Sequence, residues 1–97
     1  MPTVSYSTRA LADLERLFDF LASADPAAAS KAAHLIIDAV KVLERHPYIG
    51  RPTRGRLREL IVSQGRTGYV ALYRVTLRRD RVEVLAIRHQ REAGYQS

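Results

Sequence analysis

Residues 67–77 read Thr-Gly-Tyr-Val-Ala-Leu-Tyr-Arg-Val-Thr-Leu, and much of the expected architecture follows from this one segment. Because side chains alternate between the two faces of a β-strand, its residues separate into two sets. One face carries Tyr69, Ala71, Tyr73, Val75 and Leu77. The other face carries Val70, Leu72, Arg74 and Thr76. The alternation predicts a single long strand over Thr67–Leu77.

Two further strands are predicted on either side of this segment. Leu57–Ser63 precedes it through a turn at Gln64–Arg66, and Val82–Arg88 follows it after a turn at Arg78–Arg81. Strict alternation in the last strand places one set of side chains on one face: Glu83, Leu85, Ile87 and His89. The opposite face would then carry Val82, Val84, Ala86 and Arg88. Both faces of this strand are therefore largely apolar.

The first half of the chain has a helical period instead. Val4–Tyr6 is short and β-prone and predicts an opening strand. A cap at Ser7-Thr8 starts a helix with an apolar stripe of Leu11, Leu14, Leu17, Phe18 and Leu21. Asp25-Pro26 starts a second helix, because an N-cap acid followed by Pro is a helix-start signal. Pro47 is expected to end this second helix.

The predicted element order is β-α-α-β-β-β, an α+β fold in one domain over residues 1–97. Residues 47–56 hold two Pro and two Gly and are predicted to be a loop. A helical hairpin should cover one face of a small, mainly antiparallel sheet, and residues 90–97 should form an irregular tail. Apolar side chains that the hairpin leaves uncovered are expected to meet a partner protein.

Composition excludes several classes of protein. The chain has no Cys and three scattered His, so neither a disulfide framework nor a metal site is expected, and no cofactor is predicted. No segment has the run of apolar residues that a membrane span requires, and the first residues lack the pattern of a secretory signal. These features predict a cytoplasmic protein without a membrane partner.

The positive charge lies almost entirely in the second half. Residues 1–50 carry five Lys or Arg and six acids, whereas residues 51–97 carry eleven Arg and four acids. Arg presents a planar fork of donors that suits phosphate and carboxylate oxygens, which indicates an acidic or polyanionic partner. The alternative is that Arg is simply the cation that a G+C-rich genome favours.

Five strings of residues, in this order over nearly the whole chain, resemble the RelE/ParE superfamily of bacterial toxins. They are Ala12-Asp13-Leu14, His46-Pro47-Tyr48-Ile49-Gly50-Arg51, Arg58-Glu59-Leu60, Gly68–Val75 and Val84–Glu92. The resemblance implies a small basic toxin of a type II toxin–antitoxin system, neutralised by a cognate antitoxin. The superfamily contains RelE-like ribosome-dependent mRNA endonucleases and ParE-like inhibitors of DNA gyrase. The Pro-x-x-Gly-Arg loop followed by Arg-Glu-Leu looks more like the ParE-like branch.

A RelE-like endonuclease would need a base for the attacking 2′-hydroxyl, positive charge on the phosphate and a proton donor for the leaving oxygen. The resemblance implies that these roles would fall to Arg66, Arg74, His89, Arg91 and Tyr95. Structural alternatives exist for three of them. Arg74 would pair with Glu83 across strands, His89 would bond a backbone carbonyl, and Tyr95 would pack on the sheet. RelE-like enzymes also place lysines near the site, whereas the Lys residues here lie in the acidic half, at positions 31 and 41.

The other candidate site is the Arg-rich loop and the start of the strand after it. Its predicted target-binding residues are Arg51, Arg54, Arg56 and Arg58. Four like charges within eight residues repel one another, which favours contact with acidic residues of gyrase or antitoxin, or with DNA in a gyrase complex. The alternative is a solvated loop that keeps a small domain soluble.

These observations together predict a ParE-like toxin, a non-enzymatic binder of DNA gyrase that inhibits growth, as in plasmid stabilisation. The first alternative is a RelE-like endonuclease that acts on mRNA at the ribosome. A second alternative is an inactive homologue that only binds an antitoxin.

Overall fold

The computed structural model describes residues 1–64, 67–92, 94 and 95. In chain order its elements are β1 (Thr3–Tyr6), α1 (Thr8–Ala22), α2 (Pro26–Lys41), β2 (Arg51–Pro52), β3 (Leu57–Gln64), β4 (Thr67–Thr76) and β5 (Arg81–His89). Short 3₁₀ turns follow α2 at Val42–Glu44 and β4 at Leu77–Arg79. The predicted α+β fold and its order of main elements are confirmed.

The strands form one mixed sheet in the order β1-β5-β4-β3-β2. β1 runs parallel to β5, while the other three pairs are antiparallel. The parallel pair is possible because the two helices carry the chain back across the sheet before β5 forms. The first strand therefore lies at one edge, next to the last.

The two helices cover one face of this sheet. Ser7 Oγ caps α1 by accepting a 3.0 Å hydrogen bond from the Ala10 N–H. Asp25 Oδ1 caps α2 by accepting a 3.1 Å hydrogen bond from the Ala27 N–H. The buried core joins the helices to the strands and contains Ala10, Leu17, Ile36, Val40, Leu43, Val62, Tyr69, Ala71, Tyr73, Val82, Val84 and Ile87. Tyr69, Ala71 and Tyr73 share one face of β4, as the alternation predicts, and the structure places that face on the core.

Several predicted boundaries differ from the structure. Three strands are longer than predicted, since β1 begins at Thr3, β3 continues to Gln64 and β5 spans Arg81–His89. The second helix ends at Lys41 and tightens into a 3₁₀ turn before Pro47. The predicted loop at 47–56 contains β2, whose Pro52 has no N–H to donate and is tolerated because β2 is an edge strand. Leu77 belongs to a 3₁₀ turn rather than to β4.

The predicted faces of β5 were wrong for half of the strand, because a β-bulge interrupts the alternation. Leu72 of β4 pairs with Ala86 and Tyr73 pairs with Val84, which leaves Leu85 without a partner on β4. Val84 and Ile87 consequently both enter the core beneath the helices. The uncovered face instead carries Glu83, Ala86 and Arg88, opposite Arg74, Leu72 and Val70 of β4.

The start of α1 supports this bulge. Ser7 Oγ donates to the carbonyl of Leu85 at 2.9 Å, and the Ser7 N–H donates to the carbonyl of Val84 at 2.9 Å. One turn further along, the buried carboxylate of Asp13 accepts a 2.8 Å hydrogen bond from the Ile87 N–H. Helix α1 therefore supplies the polar partners for the irregular segment of β5.

The C-terminal segment covers part of the face that the helices leave open. The Tyr95 hydroxyl donates to Glu59 Oε2 at 2.6 Å, and the Arg88 guanidinium lies 5.2 Å from the centre of the Tyr95 ring. The predicted packing of Tyr95 on the sheet is thus observed. Val70 and Ala86, which point to this face, are buried.

Exposed large apolar side chains occur on both helices and also elsewhere, including Ile61 of β3, which is 42% exposed opposite Val70 on the open face of the sheet. Those on the helices, with their exposed fractions, are Leu11 (54%), Phe18 (42%), Phe20 (75%) and Ile37 (48%). In the described part of the chain, neither helix has the length and apolar character that crossing a bilayer would require.

Candidate target-binding site

A basic cleft of about 890 Å³ lies at the end of the sheet where β3 begins and β4 ends. Four guanidinium groups line it, those of Arg56, Arg58, Arg74 and Arg78. The other lining residues are Tyr48, Leu57, Val75 and Thr76. No carboxylate lines the cleft within the described residues, so a strong positive potential is expected there. We refer to these eight residues as the basic cleft.

Arg58 fixes the loop that forms one wall of the basic cleft. Its Nη1 donates to the carbonyl oxygens of Tyr48 and Gly50, at 3.0 and 2.8 Å. The same guanidinium lies 5.1 Å from the centre of the Tyr48 ring. Arg58 is therefore a positioning residue for the loop as well as a charge in the cleft.

A second anchor joins this loop to the core of the sheet. The N–H of Gly50 donates to the Tyr73 hydroxyl at 2.8 Å, and Tyr73 is fully buried on β4. Burial raises the pKa of Tyr73 above its ordinary value, so the phenol stays protonated. A Cβ atom at position 50 would lie only 2.6 Å from Tyr73 Cε1, so glycine is required by space.

The structure separates the four arginines that the sequence grouped as target-binding. Arg56 and Arg58 line the basic cleft. Arg51 instead pairs with Glu59 of β3 at 3.1 Å, and Arg54 is exposed but does not line the cleft. The Arg51–Glu59 pair also receives the Tyr95 hydroxyl, so Arg51 belongs to the contacts that hold the C-terminal segment.

Three arginines of the β4–β5 connection were not among the predicted site residues. Arg78 lines the basic cleft, whereas Arg79 and Arg81 line an adjoining depression of about 330 Å³. Arg74 and Thr76 line both, so the two hollows lie next to each other. The signal was available in the sequence, because residues 78–81 read Arg-Arg-Asp-Arg.

Arg74 is the one cleft arginine with a carboxylate partner. Its Nε and Nη2 donate to Glu83 Oε1 at 3.1 and 2.9 Å, the cross-strand pairing that the sequence offered as an alternative. Glu83 itself faces the adjoining depression. Within the described chain, Arg56 and Arg78 form no ion pair, so their charge is available to a ligand.

Of the five residues named for RNA cleavage, the four that the structure describes do not all lie together. His89 and Arg91 line a separate cleft of about 610 Å³ between α1 and the end of β5. Arg74 lies in the basic cleft, five positions along β4 from Tyr69, the partner of His89, a distance of roughly 17 Å. Tyr95 is held on the open face, and Arg66 falls outside the described residues.

His89 has defined contacts at the end of β5. Its Nδ1 accepts a 3.0 Å hydrogen bond from the Arg91 N–H, so the neutral ring carries its proton on Nε2. Its ring meets that of Tyr69 edge to face, with centres 5.4 Å apart. Its own N–H donates to Glu92 Oε1 at 2.8 Å. The Glu92 carboxylate also accepts from Arg16 of α1 at 3.1 Å, which ties this turn to the helix.

Comparison with known proteins places this chain among bacterial toxins. A family model described as the ParE toxin of the type II toxin–antitoxin system parDE matches residues 4–94. Toxin RelE3 of Caulobacter vibrioides is 39% identical over 92 residues, covering 95% of this chain and 98% of that protein. Toxin RelE1 of the same organism is 36% identical over 73 residues, or 75% of this chain and 78% of that protein.

Two solved structures share the fold. One comes from a chromosomal ParDE toxin–antitoxin system of P. aeruginosa, with a TM-score of 0.76 and 26% identity over 92% of this chain and 96% of that one. The other belongs to the RelBE2 toxin–antitoxin complex of Mycobacterium tuberculosis, with a TM-score of 0.61 and 26% identity. That match covers 93% of this chain and 100% of the other.

Proposed function

Because the chain belongs to the ParE toxin family of type II toxin–antitoxin systems, we propose that it inhibits growth by binding DNA gyrase. The observation that carries this proposal is the dispersal of Arg74, His89 and Tyr95 to three separate places. A concerted RNA cleavage needs its groups within hydrogen-bonding reach of one substrate. A binding function needs only an accessible surface, which the basic cleft offers.

An antitoxin partner is supported by the relatives and by the helices. Both similar structures come from toxin–antitoxin systems. The exposed apolar side chains of α1 and α2, among them Phe20 at 75% exposure, form a surface that a partner can bury. We propose that the cognate antitoxin covers this helical surface and leaves the toxin unable to reach its target.

The proposal is tested with purified proteins. The toxin is expected to inhibit supercoiling by DNA gyrase and to be retained by immobilised gyrase, and the cognate antitoxin is expected to reverse both effects. In cells, expression of the toxin should arrest growth with DNA-damage signalling while mRNA stays intact. Full gyrase activity at saturating toxin would rule the proposal out.

The names of the curated relatives and one cleft favour a second candidate, a RelE-like endonuclease acting at the ribosome. His89 and Arg91 share the cleft between α1 and β5 with Arg16 and Tyr69, so a proton carrier and positive charge lie side by side there. Under this alternative, mRNA on stalled ribosomes would be cleaved and His89→Ala would abolish cleavage. If expression of the protein does not arrest growth, and neither gyrase nor mRNA is affected, the remaining alternative is an inactive homologue that only binds an antitoxin.

A further inference from the structure

We propose that the basic cleft and its adjoining depression bind the phosphodiester backbone of a nucleic acid. The inference rests on the proposed function, since a gyrase-directed toxin meets DNA that the enzyme already holds. The surface would then contact the DNA of the complex and not only the protein.

The first argument is the composition of the surface. Six arginines line the two neighbouring hollows: Arg56, Arg58, Arg74, Arg78, Arg79 and Arg81. The guanidinium fork matches two phosphate oxygens and remains charged at every physiological pH. One carboxylate, Glu83, faces this surface, and it already holds Arg74 through two hydrogen bonds to a single oxygen. The net charge of the surface therefore remains strongly positive.

The second argument is the shape of the surface. The basic cleft, at about 890 Å³, lies next to a second hollow of about 330 Å³, and Arg74 and Thr76 line both. Charge spread over two neighbouring hollows suits a repeating anionic chain better than a single compact anion. An acidic protein surface would place isolated carboxylates at irregular intervals, and six arginines over two neighbouring hollows are more than such carboxylates require.

The third argument is the aromatic residue in the basic cleft. Tyr48 is 49% exposed although Arg58 lies against its ring and holds its carbonyl oxygen. The ring is therefore fixed in place with much of its surface open to a ligand. Fixed aromatic rings next to cations are characteristic of surfaces that contact sugars and bases as well as phosphates.

The test measures binding of the purified toxin alone to a fluorescent 20-base-pair DNA duplex, by anisotropy over a series of salt concentrations. The double variant Arg56→Ala/Arg78→Ala removes two cleft charges that form no ion pair. The matched control, Arg9→Ala/Arg45→Ala, removes two exposed charges from the first half of the chain. Equal thermal stability of the three proteins excludes a folding defect.

The cleft variant is expected to bind at least about tenfold more weakly at low salt and to reduce the salt slope of log K by about 2, while the control matches the parent. Arg56→Lys/Arg78→Lys should restore part of the binding, because Lys keeps the charge but loses the guanidinium fork that matches two phosphate oxygens. Equal binding by the cleft variant and the control would overturn the proposal. Displacement of the duplex by polyglutamate at equal charge concentration would also overturn it, in favour of an acidic protein ligand.

Two further experiments identify the nucleic acid that supplies the backbone and test the cleft inference independently of the proposed function. A single-stranded RNA of the same length replaces the duplex, and tighter cleft-dependent binding of RNA would assign the cleft to RNA. Retention on gyrase is measured without DNA. If the toxin is retained and inhibits supercoiling while the cleft variant inhibits equally, the cleft inference fails and the gyrase proposal stands. If the cleft binds nucleic acid but the toxin does not inhibit gyrase, the cleft inference stands and the gyrase proposal fails.

Discussion

The carboxylate of Asp13 on α1 accepts a hydrogen bond from the N–H of Ile87 on β5, with 2.8 Å between Oδ2 and N. The pairing of β1 with β5 ends at Val84, so β1 offers no acceptor to Ile87, which lies two residues beyond the bulge at Leu85. An unpaired N–H at such a position would be buried without a partner, which proteins avoid. The other oxygen of Asp13 lies 3.6 Å from Arg16 Nη2, so the buried charge is also balanced. One carboxylate therefore joins the first helix to the last strand.

Replacement of Asp13 by Ala is expected to lower the free energy of unfolding by about 2–3 kcal/mol, because it leaves the Ile87 N–H unsatisfied. Asp13→Asn keeps an acceptor oxygen and should cost less than Asp13→Ala. Urea denaturation of the two variants measures the difference. Equal losses would mean that the hydrogen bond to Ile87 does not account for the stabilisation.

Ser7 supports the same bulge from the helix start. Its Oγ accepts from Ala10 N–H at 3.0 Å and donates to the Leu85 carbonyl at 2.9 Å. Ser7→Ala is expected to cost about 1–2 kcal/mol of unfolding free energy, since it removes a helix cap and a long-range bond together. Ser30→Ala, at an exposed position inside α2, provides the control and should change stability by less than about 0.5 kcal/mol. A loss at Ser7 no larger than at Ser30 would contradict the assignment.

The sequence allowed the elements of this fold to be predicted, because helix caps and strand periods are local signals. The caps at Ser7 and Asp25 and the alternation of residues 67–76 lie where they were expected. The bulge could not be predicted, since Leu85 has nothing in its own neighbourhood that distinguishes it. The side chains that bond β5 at and just beyond the bulge are Ser7, to the Leu85 carbonyl, and Asp13, to the Ile87 N–H; both are distant in sequence and brought close by the tertiary fold.

The candidate site was predicted in part for the same reason. Arg56 and Arg58 were found because they lie in one run of sequence. Their partners Arg74 and Arg78 come from another strand and turn, and only the β3–β4 register brings the two groups together. Arg51 lies close in sequence to Arg56 and Arg58 and was therefore grouped with them. The β2–β3 pairing instead places it opposite Glu59, with which it forms an ion pair.

Among the glycines that the structure describes, Gly50 should be the least tolerant of substitution. A Cβ there would meet the buried Tyr73 ring and the Glu59 carbonyl at 2.6 and 2.8 Å, and neither can move freely. Gly50→Ala is therefore expected to cost more than about 2 kcal/mol and to disturb the wall of the basic cleft. Gly55 provides the comparison, because its φ of +61° strains Ala by about 1 kcal/mol but nothing lies within 4 Å of the added atom. Thermal denaturation that ranks Gly55→Ala as the more damaging change would contradict this account.

Stability in acid is expected to depend on the contact between Glu59 and Tyr95. The hydrogen bond from Tyr95, followed by that from Arg51, lowers the pKa of Glu59 below its ordinary value of 4.5, although partial burial opposes the shift. As the pH falls below 4.5, the unfolded chain takes up this proton before the folded chain does. The unfolded state then binds more protons, so the free energy of unfolding falls with pH. The stabilisation that ionised Glu59 gives the folded state is complete above pH 4.5 and is lost as the pH falls through the lowered pKa of Glu59.

Glu59→Gln should flatten this acid decline, and Tyr95→Phe should do so as well, because it removes the largest cause of the shift. The alkaline range gives an independent measurement. Burial first, and then Glu59, raises the pKa of Tyr95 above 10.0, so its contribution is complete below pH 10.0 and is lost as the pH rises through the raised pKa. Tyr95→Phe should reduce that alkaline loss without abolishing it, since burial also raises the pKa of Tyr6, Tyr69 and Tyr73. Urea titrations across both pH ranges test the contact. Unchanged acid and alkaline profiles in Tyr95→Phe would show that the C-terminal segment does not rest on Glu59 in solution.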